Sequence, residues 1–146
     1  MIRKAEEKDI SRIAEILVFD KRIYYRPIFQ DDVYAFQNLQ VLSVAETYRA
    51  PAVLDKIYVY DDGIVKGMIH VDRNEIVELY VDAFFRGQGV GAALIAYANE
   101  HYPITFLWTV EKNYDTIRFY EKQGFHLTDR RKLEQGTTEY IVMMER

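Results

Sequence analysis

A chain of 146 residues and 17.3 kDa, 49% hydrophobic and 29% charged, has the size of one soluble domain (residues 1–146) that buries about two-thirds of its unfolded surface. A net charge of −4 offers no clustered basic footprint for nucleic acid, and a cysteine count of zero excludes disulfides, thiolate nucleophiles and Cys-ligated metal. The opening MIRKAEEKD is charged too early for a signal peptide, and no apolar run nears the ~18 residues needed to cross a bilayer, so a cytoplasmic protein with no membrane partner is expected.

The stretch IRKA reads as a short first strand. Ile10, Ile13, Ala14, Ile16 and Leu17 recur at helical spacing behind Asp9, a residue type suited to an N-cap. Residues 21–30, KRIYYRPIFQ, hold a proline and no clean period, and read as a loop. A weaker helical pattern runs from Asp32 to Tyr48 through Val33, Phe36, Leu39 and Leu42, with Pro51 marking the break after it. KIYVY and IVKGMIHV flank Asp62-Gly63, a two-residue hairpin signal. EIVELYV, from Glu75 to Val81, follows the turn DRN as the next strand. AALIAYANEH is helical up to Pro103, and ITFLWTV is apolar enough for a buried strand. NYDTIRFYEKQ is helical and closes on Gly124 with Phe125 behind it, the pattern of a glycine C-cap. A last hairpin, FHLTDRR and TTEYIVMM, turns at Gln135-Gly136. The sum is a mixed α+β domain of mostly antiparallel strands with one strand–helix–strand unit in its middle.

His70, His101 and His126 have no ligand-like spacing, so no metal is expected. The 12 tyrosines, many within residues 24–48 and 58–60, suit either amphipathic core filling or an aromatic-walled pocket.

The chemistry concentrates in RGQGVG, residues 86–91, between a strand and a helix. A helix starting near Gly89 leaves its first N–H groups without internal partners and carries partial positive charge there. Glycines clear away the Cβ atoms that would hold an anion off, and Arg86 adds a full charge at the entrance. The pattern predicts a phosphate cradle. No Gly-Lys-Ser/Thr follows, which rules out a Walker loop. Gly87, Gly89 and Ala92 do fit a dinucleotide fingerprint, with Glu111 about 20 residues on as a ribose ligand. Against it, DAFFR separates strand from glycine, the strand carries two carboxylates, and a single strand–helix–strand unit makes no dinucleotide platform.

Two stretches, LYVDAFFRGQGVGAALI and LWTVEKNYDTIRFYEKQGF, resemble the signatures of the GNAT superfamily of N-acetyltransferases. Arg86, Gly89 and Gly91 stand for its R/Q-x-x-G-x-G/A; Asn113, Phe119, Tyr120, Gly124 and Phe125 stand for its N-x-x-A-x-x-F-Y-x-x-x-G-F. Order and separation agree along essentially the whole chain, and Thr116 departs from the usual Ala in what reads as a packing detail. The resemblance implies a mostly antiparallel mixed sheet of six or seven strands, about four helices, and a splay between the fourth and fifth strands. It implies acetyl-coenzyme A as co-substrate, its diphosphate on the N–H groups of Arg86, Gly87, Gln88, Gly89, Val90 and Gly91. The pantetheine arm would pair with the backbone of Leu79, Tyr80 and Val81 in that splay, where buried N–H groups otherwise lack partners, and one such N–H would polarise the thioester carbonyl.

A primary amine with a pKa near 10 must lose a proton before it attacks the thioester. The resemblance implies a strand carboxylate as base, Glu75 first and Glu78 second. Being three apart on a regular strand, they should face opposite ways, so that only one sees the site. Tyr120 stands where the family places the acid that protonates the leaving thiolate, and Asn113 caps the later helix, bonds the cofactor, or does both. The acceptor wall would draw on Tyr24, Tyr25, Phe29, Asp31, Asp32 and Tyr34, rings and acids that suit a cation. The acceptor itself, a small-molecule or protein amine, stays open, as does the choice between monomer and homodimer. A catalytically silent coenzyme A binder is the second functional class and a nicotinamide oxidoreductase the third.

Overall fold

Two hydrophobic cores lie on opposite faces of one sheet, each covered by helices. The computed structural model describes every residue from Met1 to Arg146. Its strands are β1 (Ile2–Lys4), β2 (Ile57–Asp61), β3 (Val65–Asp72), β4 (Glu75–Val81), β5 (Phe106–Val110), β6 (His126–Leu133) and β7 (Tyr140–Glu145). The α-helices are α1 (Ile10–Asp20), α2 (Arg26–Phe29), α3 (Val41–Thr47), α4 (Pro51–Leu54), α5 (Val90–His101) and α6 (Tyr114–Lys122). The strands run in the order β1-β2-β3-β4-β5-β7-β6, antiparallel throughout except between β4 and β5. Ile13, Ile16 and Val18 of α1 meet Ile57, Val59 and Met68 on one face. Leu94, Ile95 and Ala98 of α5 and Ile117 of α6 meet Ile69, Ile76 and Leu107 on the other.

The sequence reading holds best where apolar periodicity is strong and fails across residues 21–54. Lys21–Tyr25 is a π-helical continuation of α1 that runs into α2, with Pro27 in its first turn, where a loop was expected. The single helix expected from Asp32 to Tyr48 is two pieces, π-helical Tyr34–Asn38 and then α3, parted by extended Leu39. Pro51 opens α4 as well as ending what precedes it, since its ring fixes the φ a first helical turn needs. Asp9 holds the N-cap position of α1 as expected, but its side chain accepts no hydrogen bond from the helix. Its carboxylate takes two hydrogen bonds from the Arg3 guanidinium, at 2.8 and 2.9 Å, and one from the Glu6 N–H at 2.8 Å. The β2–β3 turn has three residues between Asp61 and Val65, with Gly63 at φ +108°, where two were expected.

One irregularity shapes the centre of the sheet. His70 pairs with Glu78 but Val71 pairs with Ile76, so Val77 is an extra residue on β4. Such a bulge bends its strand and inverts the in–out alternation beyond it. Ile76 and Leu79 accordingly both pack toward α5, and Glu75 and Glu78 share the opposite face, where a regular strand would have separated them. The pairing of β4 with β5 stops at the same place: Glu75 lies opposite Phe106 and Ile76 opposite Leu107, and no later residue of β4 has a β5 partner. The expected splay therefore begins at Val77.

Gly67, which carried no signal in the sequence, lets α5 sit directly on the sheet. A Cβ there would lie 3.0 Å from the Tyr80 carbonyl oxygen and 3.0 Å from Val90 Cγ1. Gly67→Val is expected to lower the unfolding free energy by about 2–3 kcal/mol through overpacking, with an unchanged urea m-value. A variant as stable as the parent protein would show that α5 can lift without penalty.

Candidate active site

Between β4 and α5 the chain makes a short 3-10 turn, Ala83–Phe85, whose N-terminal N–H groups are served by Asp82, and then the glycine loop. Arg12 of α1 anchors this entrance, pairing with the Asp82 carboxylate at 2.8 Å and donating to the Val65 carbonyl at 3.0 Å. Gly87 and Gly89 take φ of +77° and +80°, a backbone that side chains other than glycine's adopt under strain. Gly89 is the N-cap of α5, and the first intrahelical bond runs from Ala93 N–H to its carbonyl at 3.0 Å. The N–H groups from Arg86 to Ala92 therefore have no hydrogen bond of normal geometry within the chain. Donors at a helix head, with the dipole behind them, form an anion site. Gly91 serves differently, because a Cβ there would press on Phe119 Cζ at 3.1 Å and fill the groove.

That groove is a cleft of about 300 Å³ running from the glycine loop along the splay to α6, lined by Leu79, Val81, Gly91, Phe119 and Tyr120 among others. Asp82 N–H bonds to Lys66 on β3 at 2.9 Å, so by strand alternation the Tyr80 amide also faces β3, while those of Leu79 and Val81 turn to the open side. Of the three β4 residues expected to offer backbone to a ligand, Leu79 and Val81 thus have amides on the open side and Tyr80 does not. Tyr80 contributes its buried ring instead.

Behind the cleft lies a smaller cavity of about 80 Å³, walled by Asp20, Tyr25, Glu78, Trp108, Asn113 and Tyr120 among others, and sharing Leu79, Arg86, Thr116 and Tyr120 with the cleft. It brings Tyr120 and Glu78 together and leaves Glu75 out. Tyr120 is 6% exposed, its ring held edge-on by Phe119 and Phe125, and its hydroxyl has no partner in the chain. Burial, with the Asp20 charge adding to it, lifts this phenol well above its ordinary range, so it stays protonated. Glu78 Oε1 accepts from the Tyr48 hydroxyl at 2.8 Å and lies 3.3 Å from His70 Nδ1, which leaves Oε2 without a partner. Glu75, at the closed end of the splay, is raised chiefly by burial and lines neither space. Asn113 is the N-cap of α6, its side chain accepting from Thr116 N–H at 3.4 Å, and it also faces the inner cavity. Thr116 itself stands on the boundary between the two spaces, so it is a wall residue as well as a packing one.

Most of the expected acceptor wall is committed elsewhere. Asp31 accepts from Tyr34 N–H at 3.1 Å, Asp32 pairs with Arg26 at 2.8 Å, and Tyr25, Phe29 and Tyr34 stack with centroids 5.6 and 5.4 Å apart. Tyr25 alone of the six reaches the inner cavity. Glu111, the ribose ligand of a dinucleotide reading, is held by Arg131 at 2.9 and 3.0 Å. Arg86 turns its guanidinium inward, over the Tyr24 ring at 3.6 Å, and forms an ion pair with Asp20. Asp20 is the acid the sequence did not disclose, for it ends an amphipathic helix with no motif around it. Tyr48 and His70 escaped for the same reason, since only the β3–β4 register and the end of α3 bring them to Glu78.

Burial pushes the Asp20 carboxyl up to about 6, although the Arg86 guanidinium pulls it down. An acid raised above its unfolded value of about 3.9 withdraws stability as pH climbs through the window between the two values. Asp20→Asn mimics the neutral form. In urea titrations it should match the parent protein near pH 4 and exceed it by about 2–3 kcal/mol near pH 7.5. Parallel pH profiles would show that Asp20 does not titrate in that window.

The chain matches the family model described as Acetyltransferase (GNAT) domain over residues 54–127. It is 25% identical over 131 residues to the peptidyl-lysine N-acetyltransferase YiaC of Escherichia coli (strain K12), covering 88% of this chain and 85% of that one. In fold it is similar to the apo form of YjaB from Escherichia coli, with a TM-score of 0.76, 18% identity, and coverage of 99% and 95%. It is likewise similar to the PaiA N-acetyltransferase of Thermoplasma acidophilum solved in complex with coenzyme A, with a TM-score of 0.64, 19% identity, and coverage of 100% and 98%. With the family model spanning half of its residues, around the glycine loop and splayed strands described above, the chain belongs to the GNAT acetyltransferase family and is an acyltransferase.

Proposed function

We propose that the protein transfers an acetyl group from acetyl-coenzyme A to a primary amine by direct attack, with Glu78 as base and Tyr120 as acid. The observation that carries the coenzyme part is the row of free N–H groups from Arg86 to Ala92 at the mouth of a cleft kept open by Gly91. A diphosphate fits such a row by charge and by hydrogen bonding. The open amides of Leu79 and Val81 suit an amide-bearing arm, and one of them would sit where an oxyanion needs a donor. Acetyl-coenzyme A supplies the activated acetyl thioester. The peptidyl-lysine specificity named for the YiaC relative and the narrowness of the inner cavity both favour an unbranched alkylamine as acceptor.

The chain's own groups divide the proton work. Glu78, fixed through Oε1 by Tyr48 and His70, has Oε2 free to take a proton from the acceptor ammonium, directly or through a water. Tyr120, kept protonated by burial, has a free hydroxyl to donate to the leaving sulfur. Glu78 takes precedence over Glu75 because it walls the cavity that holds Tyr120 and Glu75 does not. The second reading, a silent coenzyme A binder, shares the cradle but has no use for the unpartnered Glu78 oxygen and Tyr120 hydroxyl in one small cavity.

Kinetics with n-butylamine and Nα-acetyl-lysine amide separate these roles. Tyr120→Phe and Glu78→Gln should each lower kcat by about 100-fold or more while coenzyme A affinity by calorimetry changes less than about twofold. Glu75→Gln should leave kcat within about threefold. Full turnover in Tyr120→Phe, or a larger loss in Glu75→Gln than in Glu78→Gln, would overturn the assignment. Failure of the parent protein to bind coenzyme A would overturn the function itself.

A further inference from the structure

Arg86 is the one cation among the residues lining the cleft, and it also walls the inner cavity. Asp20, its ion-pair partner, is 4% exposed at the end of α1 and has no other polar contact in the chain. A carboxyl this buried stays ionised only with a cation beside it and otherwise takes up a proton. A diphosphate on the bare amides of residues 86–92 draws a guanidinium too, since charge-assisted fork contacts to phosphate are among the stronger ones available. The site thus presents two anionic claims on one guanidinium. The Arg86 side chain is 40% exposed and lies over the Tyr24 ring at the protein surface, so moving it from one anion to the other costs a single ring contact and no core packing.

We propose that Asp20 and Arg86 are an exchange pair: a diphosphate at the glycine loop takes Arg86 from Asp20, and the ammonium of the acceptor amine takes the place on Asp20 that Arg86 vacates. The inference rests on the acetyl-transfer reading above and adds to it the residue that recognises the amine. Paired with Asp20, Arg86 stands in for the acceptor cation. The cavity's 80 Å³ admits a few water-sized groups, which suits the tip of an unbranched alkylammonium and not a branched or cyclic amine. Asp20 and Glu78 then divide the work within one cavity, the first holding the positive charge on entry, the second accepting the proton. Binding becomes ordered, because before the diphosphate arrives the amine must compete with a guanidinium already in place.

The two ligands should respond with opposite signs to loss of the Asp20 charge, which a merely structural role would not produce. In Asp20→Asn, calorimetry should show coenzyme A binding tightened about fivefold, since Arg86 no longer has to leave a partner, while KM for n-butylamine rises at least about tenfold. In the parent protein, n-butylamine should bind measurably only when coenzyme A or inorganic pyrophosphate is present. Unchanged or weaker coenzyme A binding in a folded Asp20→Asn, or equal amine binding with and without the diphosphate, overturns the exchange. If the parent protein binds neither coenzyme A nor pyrophosphate, the acetyl-transfer reading falls first. The parent-protein titrations decide the matter even where the substitution unfolds the chain.

Discussion

A single extra residue in β4 governs the site. Sheets are held by continuous ladders of backbone hydrogen bonds, and a ladder between two buried central strands does not open without cause. Val77 supplies the cause. By inserting one residue against β3 it bends β4 off β5, and the two central strands part after two paired positions. The opening exposes strand amides inside the protein, aims Glu78 at the same cavity as Tyr120, and leaves Glu75 at the closed end. Almost every functional feature described above lies on one rim or the other of that parting.

The polar groups in the opening are graded by how completely the chain satisfies them. Arg3 bridges Asp9 and Asp61 at the far end of the sheet, where backbone N–H groups complete both carboxylates, and this cluster serves architecture. Glu78 is half satisfied, one oxygen bonded twice and the other bare. The helix-head amides of α5 are bare altogether. Buried polar groups are normally paired, so the bare Glu78 oxygen is the exception among them, while the helix-head amides from Arg86 to Gly89 are open to solvent. Arg86 and Asp20 fall between, satisfied only by each other.

The sequence made the α5 and α6 half of the molecule legible because rare residue types stand there under strict geometric demands. Positive φ at Gly87 and Gly89, the space at Gly91, and the turn at Gly124 with Phe125 buried behind it each exclude most substitutions, so the pattern speaks without a structure. The segment from Lys21 to Leu54 was opaque for the opposite reason. Its helical pieces are short, two are π-wound, and Arg22 ties them together by packing on Phe19 and Phe36 and bonding the Ala35 and Leu39 carbonyls, with no strong apolar period to announce them. The faces of Glu75 and Glu78 were misread because a bulge is a property of a strand pair and leaves no trace in one strand's alternation. Asp20, Tyr48 and His70 became visible only when distant segments met.

Gly67 has a consequence for what the cleft can hold. With no side chain between them, α5 packs directly on the β3–β4 pair, which holds the head of the helix close to the end of β4. The distance from the bare helix-head amides to the open strand amides is consequently set by that contact. On the proposed reading, a carrier held by its diphosphate at the loop would reach the inner cavity only with a tether that matches this span.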